Sequence, residues 1–182
     1  MGISWSAMHR ILERENICDS LKGRIQYLAT RYSKSHDQEG RVAIRLDGKE
    51  VFKKFDVKDG HALKHQVHDL DVRTAIITGR TSSIVENRAC ELDIDHLYQG
   101  QKDKRIAFQA LLDLYALTAA NVAYMGDDRP DVPLLEQVGF AAVPHDAHVS
   151  AKSVAHWISS CNGGCGAVRE LIDLLIESKK GA

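Results

Sequence analysis

From residue 62 to residue 178, short apolar runs alternate with longer amphipathic ones, and this alternation narrows the possible folds more than any other feature of the chain. Residues 73–77 (Arg-Thr-Ala-Ile-Ile), 96–99, 122–125 and 139–143 have the length and apolar content of strands buried on both faces. Between and after them, residues 62–68, 83–92, 104–115, 131–138, 149–155 and 167–178 carry apolar side chains at helical spacing. Strands and helices in strict succession imply parallel strands joined by right-handed crossovers. The expected fold is a doubly wound α/β sheet with helices on both faces. In such a sheet, ligands sit at the carboxyl ends of the strands.

The amino-terminal part reads differently. Residues 7–17 suit a short amphipathic helix, residues 25–29 a weak strand, and residues 30–40 a polar loop. Asp47-Gly48 supplies the positive φ values that a tight turn demands, so residues 41–55 read as a β-hairpin. The expected organisation is one unit over residues 1–182: an atypical segment to residue 40, the hairpin, then a core over residues 56–178.

Composition excludes several classes. A formal net charge of −1 gives no broad field to draw the chain to nucleic acid. No apolar run approaches the roughly 20 residues that span a bilayer, and residues 1–10 lack the basic and apolar regions of a signal peptide. No membrane role is expected, and the expected location is cytoplasmic. Cys161 and Cys165 have no partner pair at zinc-site spacing, and His61 and His65 lack the glutamate of a zinc-protease helix. Both sets are read as ordinary side chains.

Chemistry is concentrated at three expected strand ends. Tyr124-Met125-Gly126-Asp127-Asp128-Arg129-Pro130-Asp131 ends a strand in glycine and begins a helix with three carboxylates. Carboxylates this close repel one another unless a cation offsets them, and a hard cation such as Mg2+ fits oxygen donors. An acidic cap on the helix dipole is the competing explanation. Ile77-Thr78-Gly79-Arg80 places a hydroxyl, a glycine and a guanidinium after another strand, a set able to hydrogen-bond a phosphate. Gln99-Gly100-Gln101-Lys102-Asp103-Lys104 adds lysines at a helix start. Thr, Lys and paired Asp on successive strand ends are more specific together than any is alone.

That order resembles the haloacid dehalogenase (HAD) superfamily, and within it the 3-deoxy-D-manno-octulosonate 8-phosphate (KDO 8-phosphate) phosphatases. The resembling segments are Phe55-Asp56-Val57-Lys58-Asp59-Gly60, Ala75-Ile76-Ile77-Thr78-Gly79-Arg80, Leu97-Tyr98-Gln99-Gly100-Gln101, residues 121–128, and Asn162-Gly163-Gly164-Cys165-Gly166-Ala167-Val168-Arg169-Glu170. The likeness runs from about residue 40 to residue 175. It implies a Rossmann-like core without a large cap, a protruding hairpin, and a homotetramer whose subunits complete one another's sites. It implies a Mg2+-dependent phosphomonoesterase acting on a small phosphorylated sugar acid in lipopolysaccharide precursor synthesis. By the same resemblance, Thr78 holds the transferring phosphoryl group, Lys104 neutralises it, and Asp127, with Asp128 and Asp131 beside it, holds the metal. Gly79, Arg80, Lys58, Asp59 and Gly60 would lie near the substrate.

The sequence departs from the family at one decisive place. Members carry Asp-x-Asp-Gly at the tip of the first strand; the first Asp attacks phosphorus and the second protonates the leaving alcohol. No Asp-x-Asp-Gly occurs in this chain, and counting back from Phe55 brings Arg31 and Ser33 to the two positions. Arginine is permanently cationic, so it is no nucleophile and would repel a metal. Asp19, in Ile17-Cys18-Asp19-Ser20, is the substitute candidate for the nucleophile. A catalytically inactive phosphatase fold, or a locally scrambled reading frame over residues 15–40, would equally leave this pattern. Cys165 also stands where the family usually has arginine.

Overall fold

The computed structural model describes residues 27–30 and 53–180. Six parallel strands form one sheet in the order β3-β2-β1-β4-β5-β6. They are β1 (Tyr27–Thr30), β2 (Arg73–Ile77), β3 (His96–Tyr98), β4 (Val122–Met125), β5 (Phe140–Val143) and β6 (Trp157–Ile158). The expected weak strand over residues 25–29 is therefore a central one, hydrogen-bonded on both sides. Thr30 pairs with Ile76 of β2 and with Met125 of β4.

Alternation along the strands feeds two cores. In β4, Val122 and Tyr124 face one side and Ala123 and Met125 the other; in β5, Ala141 and Val143 oppose Phe140 and Ala142. The first side is covered by α3 (Lys104–Tyr115), α4 (Val132–Leu135) and α5 (Val149–Lys152), through Phe108, Leu111, Leu134 and Ala151. The second is covered by α6 (Ala167–Lys180), through Leu171, Ile172 and Leu175, and by the helical segment that begins at α1 (Val57–His61). Both faces being buried explains why the strands read as continuous apolar runs rather than alternating ones. Burying each such side chain is worth about 1.5–3 kcal/mol. α2 (Ser83–Glu91) completes the set, capped by the Ser82 hydroxyl on the Val85 N–H.

Several boundaries differ from expectation. The helix expected over residues 62–68 starts five residues earlier, because the Asp56 side chain caps it, accepting from the N–H groups of Lys58 and Asp59. It then continues as a π turn over Ala62–Gln66 and a 3-10 turn over Val67–Leu70. The helix expected over 131–138 is shorter, opening with a 3-10 turn over Arg129–Asp131. β6 was not expected; two residues are too few to carry a period. Residues 53–55, expected to finish a hairpin strand, have no regular structure. The rest of the hairpin, the helix over 7–17, Asp19, Arg31 and Ser33 lie outside the described residues.

Candidate active site

Thr78 and Asp127 stand at the same level on either side of β1. Each lies two residues beyond the partner of Thr30, on β2 and β4 respectively. Strand spacing puts their backbones about 10 Å apart, two ladder steps across the sheet. Thr78 is fixed by its neighbours: its N–H donates to Tyr98 O at 2.9 Å, its carbonyl accepts from Gln101 N at 3.0 Å, and its Oγ1 accepts from Arg80 N at 3.3 Å. Gln99 Oε1 accepts from Ser82 N at 2.8 Å, so the ends of β2 and β3 are tied together. Gly79 and Arg80 are exposed at this turn.

The tip of β4 is built around a buried ion pair. Lys104, the first residue of α3, and Asp131 are 4% and 0% exposed, and Lys104 Nζ contacts Asp131 Oδ1 directly. Tyr124 OH donates to the same oxygen at 2.6 Å and lies 3.4 Å from Lys104 Nζ. Asp131 Oδ2 accepts from the N–H groups of Asp127 and Asp128, each at 3.1 Å. A carboxylate has about four acceptor positions, and protein donors fill all of them. Asp131 was expected beside the metal; the fold instead spends its oxygens on shaping the tip. Gly126 makes this possible, since a Cβ there would sit 2.4 Å from Asp131 Cβ. Asp128 is half-buried and caps the following turn, accepting from Arg129 N at 2.8 Å. Asp127 is half-buried, and its carbonyl accepts from His148 N at 2.8 Å.

A cleft open to solvent adjoins this tip. Lys54, Phe55, Asp59, Gly126, Asp127, Gly163 and Gly164 are among the residues that line it. Of the residues expected to hold metal and phosphate, Asp127 lines it, whereas Thr78 and Lys104 are outside its lining.

The Lys58-Asp59-Gly60 group divides. Lys58 is exposed on the first turn of α1. Gly60 is buried, and a Cβ there would meet Arg88 Nη2 at 2.1 Å. Asp59 is 4% exposed, and its oxygens accept from the N–H groups of Gly166 (3.3 Å) and Arg169 (2.8 Å) at the start of α6. Burial pushes its carboxyl above the usual value, against the pull of those N–H donors.

The chain does contain two Asp-x-Asp triplets, Asp69-Leu70-Asp71 and Asp93-Ile94-Asp95, but these precede β2 and β3. They lie at the opposite end of the sheet from Thr78 and Asp127. Asp95 there accepts from Thr74 N–H (2.7 Å), Thr74 O–H (2.9 Å) and Arg73 (3.2 Å).

A model of haloacid dehalogenase-like hydrolases matches residues 93–172, and a model of the SF0329 protein family matches residues 4–125. The 3-deoxy-D-manno-octulosonate 8-phosphate phosphatase of Escherichia coli (strain K12) is 43% identical over 138 residues, covering 76% of this chain and 72% of the relative. The chain belongs to the KDO 8-phosphate phosphatase family. The Yersinia pestis phosphatase of that name is 41% identical over 138 residues, which is 76% of this chain and 73% of the relative. Among solved structures, the Moraxella catarrhalis KDO 8-phosphate phosphatase in complex with magnesium ion, phosphate ion and KDO superposes with a TM-score of 0.82. It is 32% identical, over 91% of this chain and 93% of that one.

One feature of this family member is not legible in the sequence. Tyr124 looked like one more buried strand residue, and only the sheet shows its hydroxyl reaching Asp131. The glycine-rich segment before α6, singled out in the sequence by its resemblance to the family, is brought by tertiary packing into the lining of the cleft together with Asp127, through Gly163 and Gly164.

Proposed function

We propose that the chain is a Mg2+-dependent phosphomonoesterase that hydrolyses KDO 8-phosphate to KDO and phosphate, supplying a lipopolysaccharide precursor in the cytoplasm as a homotetramer. The observation that carries the reading is the common level of Thr78 and Asp127 across β1, with Lys104 bound to the β4 tip through Asp131. Family membership gives the substrate class.

Thr78 Oγ1 accepts the Arg80 N–H, which leaves its own proton for a phosphoryl oxygen. Lys104 supplies fixed positive charge, and Arg80 an exposed guanidinium, toward the same group. Asp127, joined by Asp128, would hold the metal. Among the described residues no group of three or more metal-ligating side chains occurs. One or two carboxylates nonetheless suit Mg2+, which keeps several waters and takes further oxygens from a substrate phosphate. When bound, the ion offsets the negative charge of the transferring group.

The missing Asp-x-Asp-Gly favours one alternative, an inactive family member retained for assembly or ligand binding. Phosphate release from KDO 8-phosphate with magnesium, beside an Asp127→Ala control, separates the two. Turnover that the control abolishes supports the phosphatase and makes Asp19 the next residue to replace. Folded, oligomeric protein without turnover leaves the inactive reading.

A further inference from the structure

A glycine-rich segment lines the cleft together with Asp127, and carboxylates hold it at three points. At its start, Glu170 of α6 accepts from the Ser159 hydroxyl, from Ser160 N at 2.9 Å and from the Ser160 hydroxyl at 2.8 Å. In its middle, Asp146 accepts from Gly163 N at 2.7 Å. At its end, Asp59 accepts from Gly166 N and Arg169 N. Gly164 has φ +70° and open space where a Cβ would be, so the wall there is bare backbone. Of the three carboxylates, Asp59 alone lies in the lining of the cleft. It is also the only one of them on α1, so it bridges the two elements that flank the opening.

We propose that Asp59 is a positioning residue for the site. It grips the first turn of α6 and thereby sets the distance between the Gly163-Gly164 wall and Asp127. The part of the substrate remote from phosphorus would rest against that wall. This rests on the proposed phosphatase reading and adds a specificity element to it. The arrangement also explains why a carboxylate is tolerated beside an anionic ligand: its charge is turned into the α6 amino terminus, whose N–H groups and dipole offset it. Because burial penalises that charge, an amide in its place removes a cost as well as a contact, and Asp59→Asn is expected to fold.

The test compares wild type, Asp59→Asn and Asp59→Ala on two substrates, KDO 8-phosphate and p-nitrophenyl phosphate. The expected result is a KM for KDO 8-phosphate raised about tenfold in Asp59→Ala and less in Asp59→Asn, which keeps one acceptor. The loss in kcat/KM for the sugar phosphate should exceed the loss for the aryl phosphate by about the same factor. Equal losses on both substrates would mean that Asp59 only stabilises the fold, and would overturn the proposal. Amide hydrogen exchange is the second measurement. Gly166 and Arg169 should exchange at least about tenfold faster in Asp59→Ala, with protection over residues 171–180 retained. Unchanged protection at Gly166 and Arg169 would also overturn it. If the wild-type chain hydrolyses neither substrate, the phosphatase reading fails, and the exchange result alone decides the role of Asp59.

Discussion

Lys104 and Asp131 form an ion pair from which water is excluded, and such a pair is far more costly to break than to replace. Asp131→Ala removes the carboxylate that pairs with a buried ammonium and the acceptor of the Asp127 and Asp128 N–H groups. We expect a loss of about 3–5 kcal/mol, seen as a lower denaturant midpoint. Lys104→Met combined with Asp131→Ala should cost less than the sum of the two single changes. A strictly additive double mutant would mean that the pair does not act as a unit. Asp95, at the far end of the sheet, gives a pH prediction. Burial works to raise its carboxyl, but the Thr74 N–H and O–H and Arg73 outweigh this and hold it below its ordinary value. A carboxyl lowered in the fold contributes stability above its ordinary value of 3.8, and that contribution disappears as pH falls through the lower folded value. Asp95→Asn should therefore cost about 1 kcal/mol at neutral pH, the group being partly exposed. The variant should also lose less stability than wild type on acidification below about pH 4, followed by thermal unfolding. Parallel pH curves for the two proteins would sink the assignment.

At the scale of elements, legibility followed length and capping chemistry. The bounds of β2, α3 and β4 match the expected ranges, because each is an apolar or amphipathic run with clear punctuation, such as Asp103 before α3. The start of α1 is not legible in the sequence, because Val57-Lys58-Asp59-Gly60 holds one apolar residue and a glycine; what makes it helical is the Asp56 cap. Asp131 was read as a ligand because sequence shows a carboxylate's proximity along the chain but not the donors that reach it from α3. α6 has the plainest pattern, and its apolar stripe is the lid of one core. Leu171 is fully buried against Phe140 and its neighbours, so Leu171→Ala should cost about 2–5 kcal/mol. Lys180→Ala, at the exposed end of the same helix, should stay within about 0.5 kcal/mol. Similar losses for the two would mean that the helix is held by its propensity rather than by its buried face.

For the whole molecule, a sheet covered on both sides leaves only its ends for function, and the two ends differ. One carries Thr78, Asp127 and the cleft; the other carries the Asp69-Leu70-Asp71 and Asp93-Ile94-Asp95 triplets. The cleft end also carries Val57, which is 80% exposed at the start of α1, two residues from Asp59 in the cleft wall. A large apolar side chain so exposed beside a cleft is expected where another surface covers it, although a single exposed residue is by itself ordinary. If the proposed homotetramer exists and forms through this end, light scattering should give four times the 20.2 kDa of one chain. Val57→Asp should then shift the mass toward smaller species while circular dichroism stays that of folded protein, because a charge would be buried without a partner only in the assembly. Retention of the tetramer by Val57→Asp would move the contact away from α1. A monomeric wild type would mean that each chain must complete its site alone, and Asp59 would then be the inner wall of a cleft that opens directly to solvent.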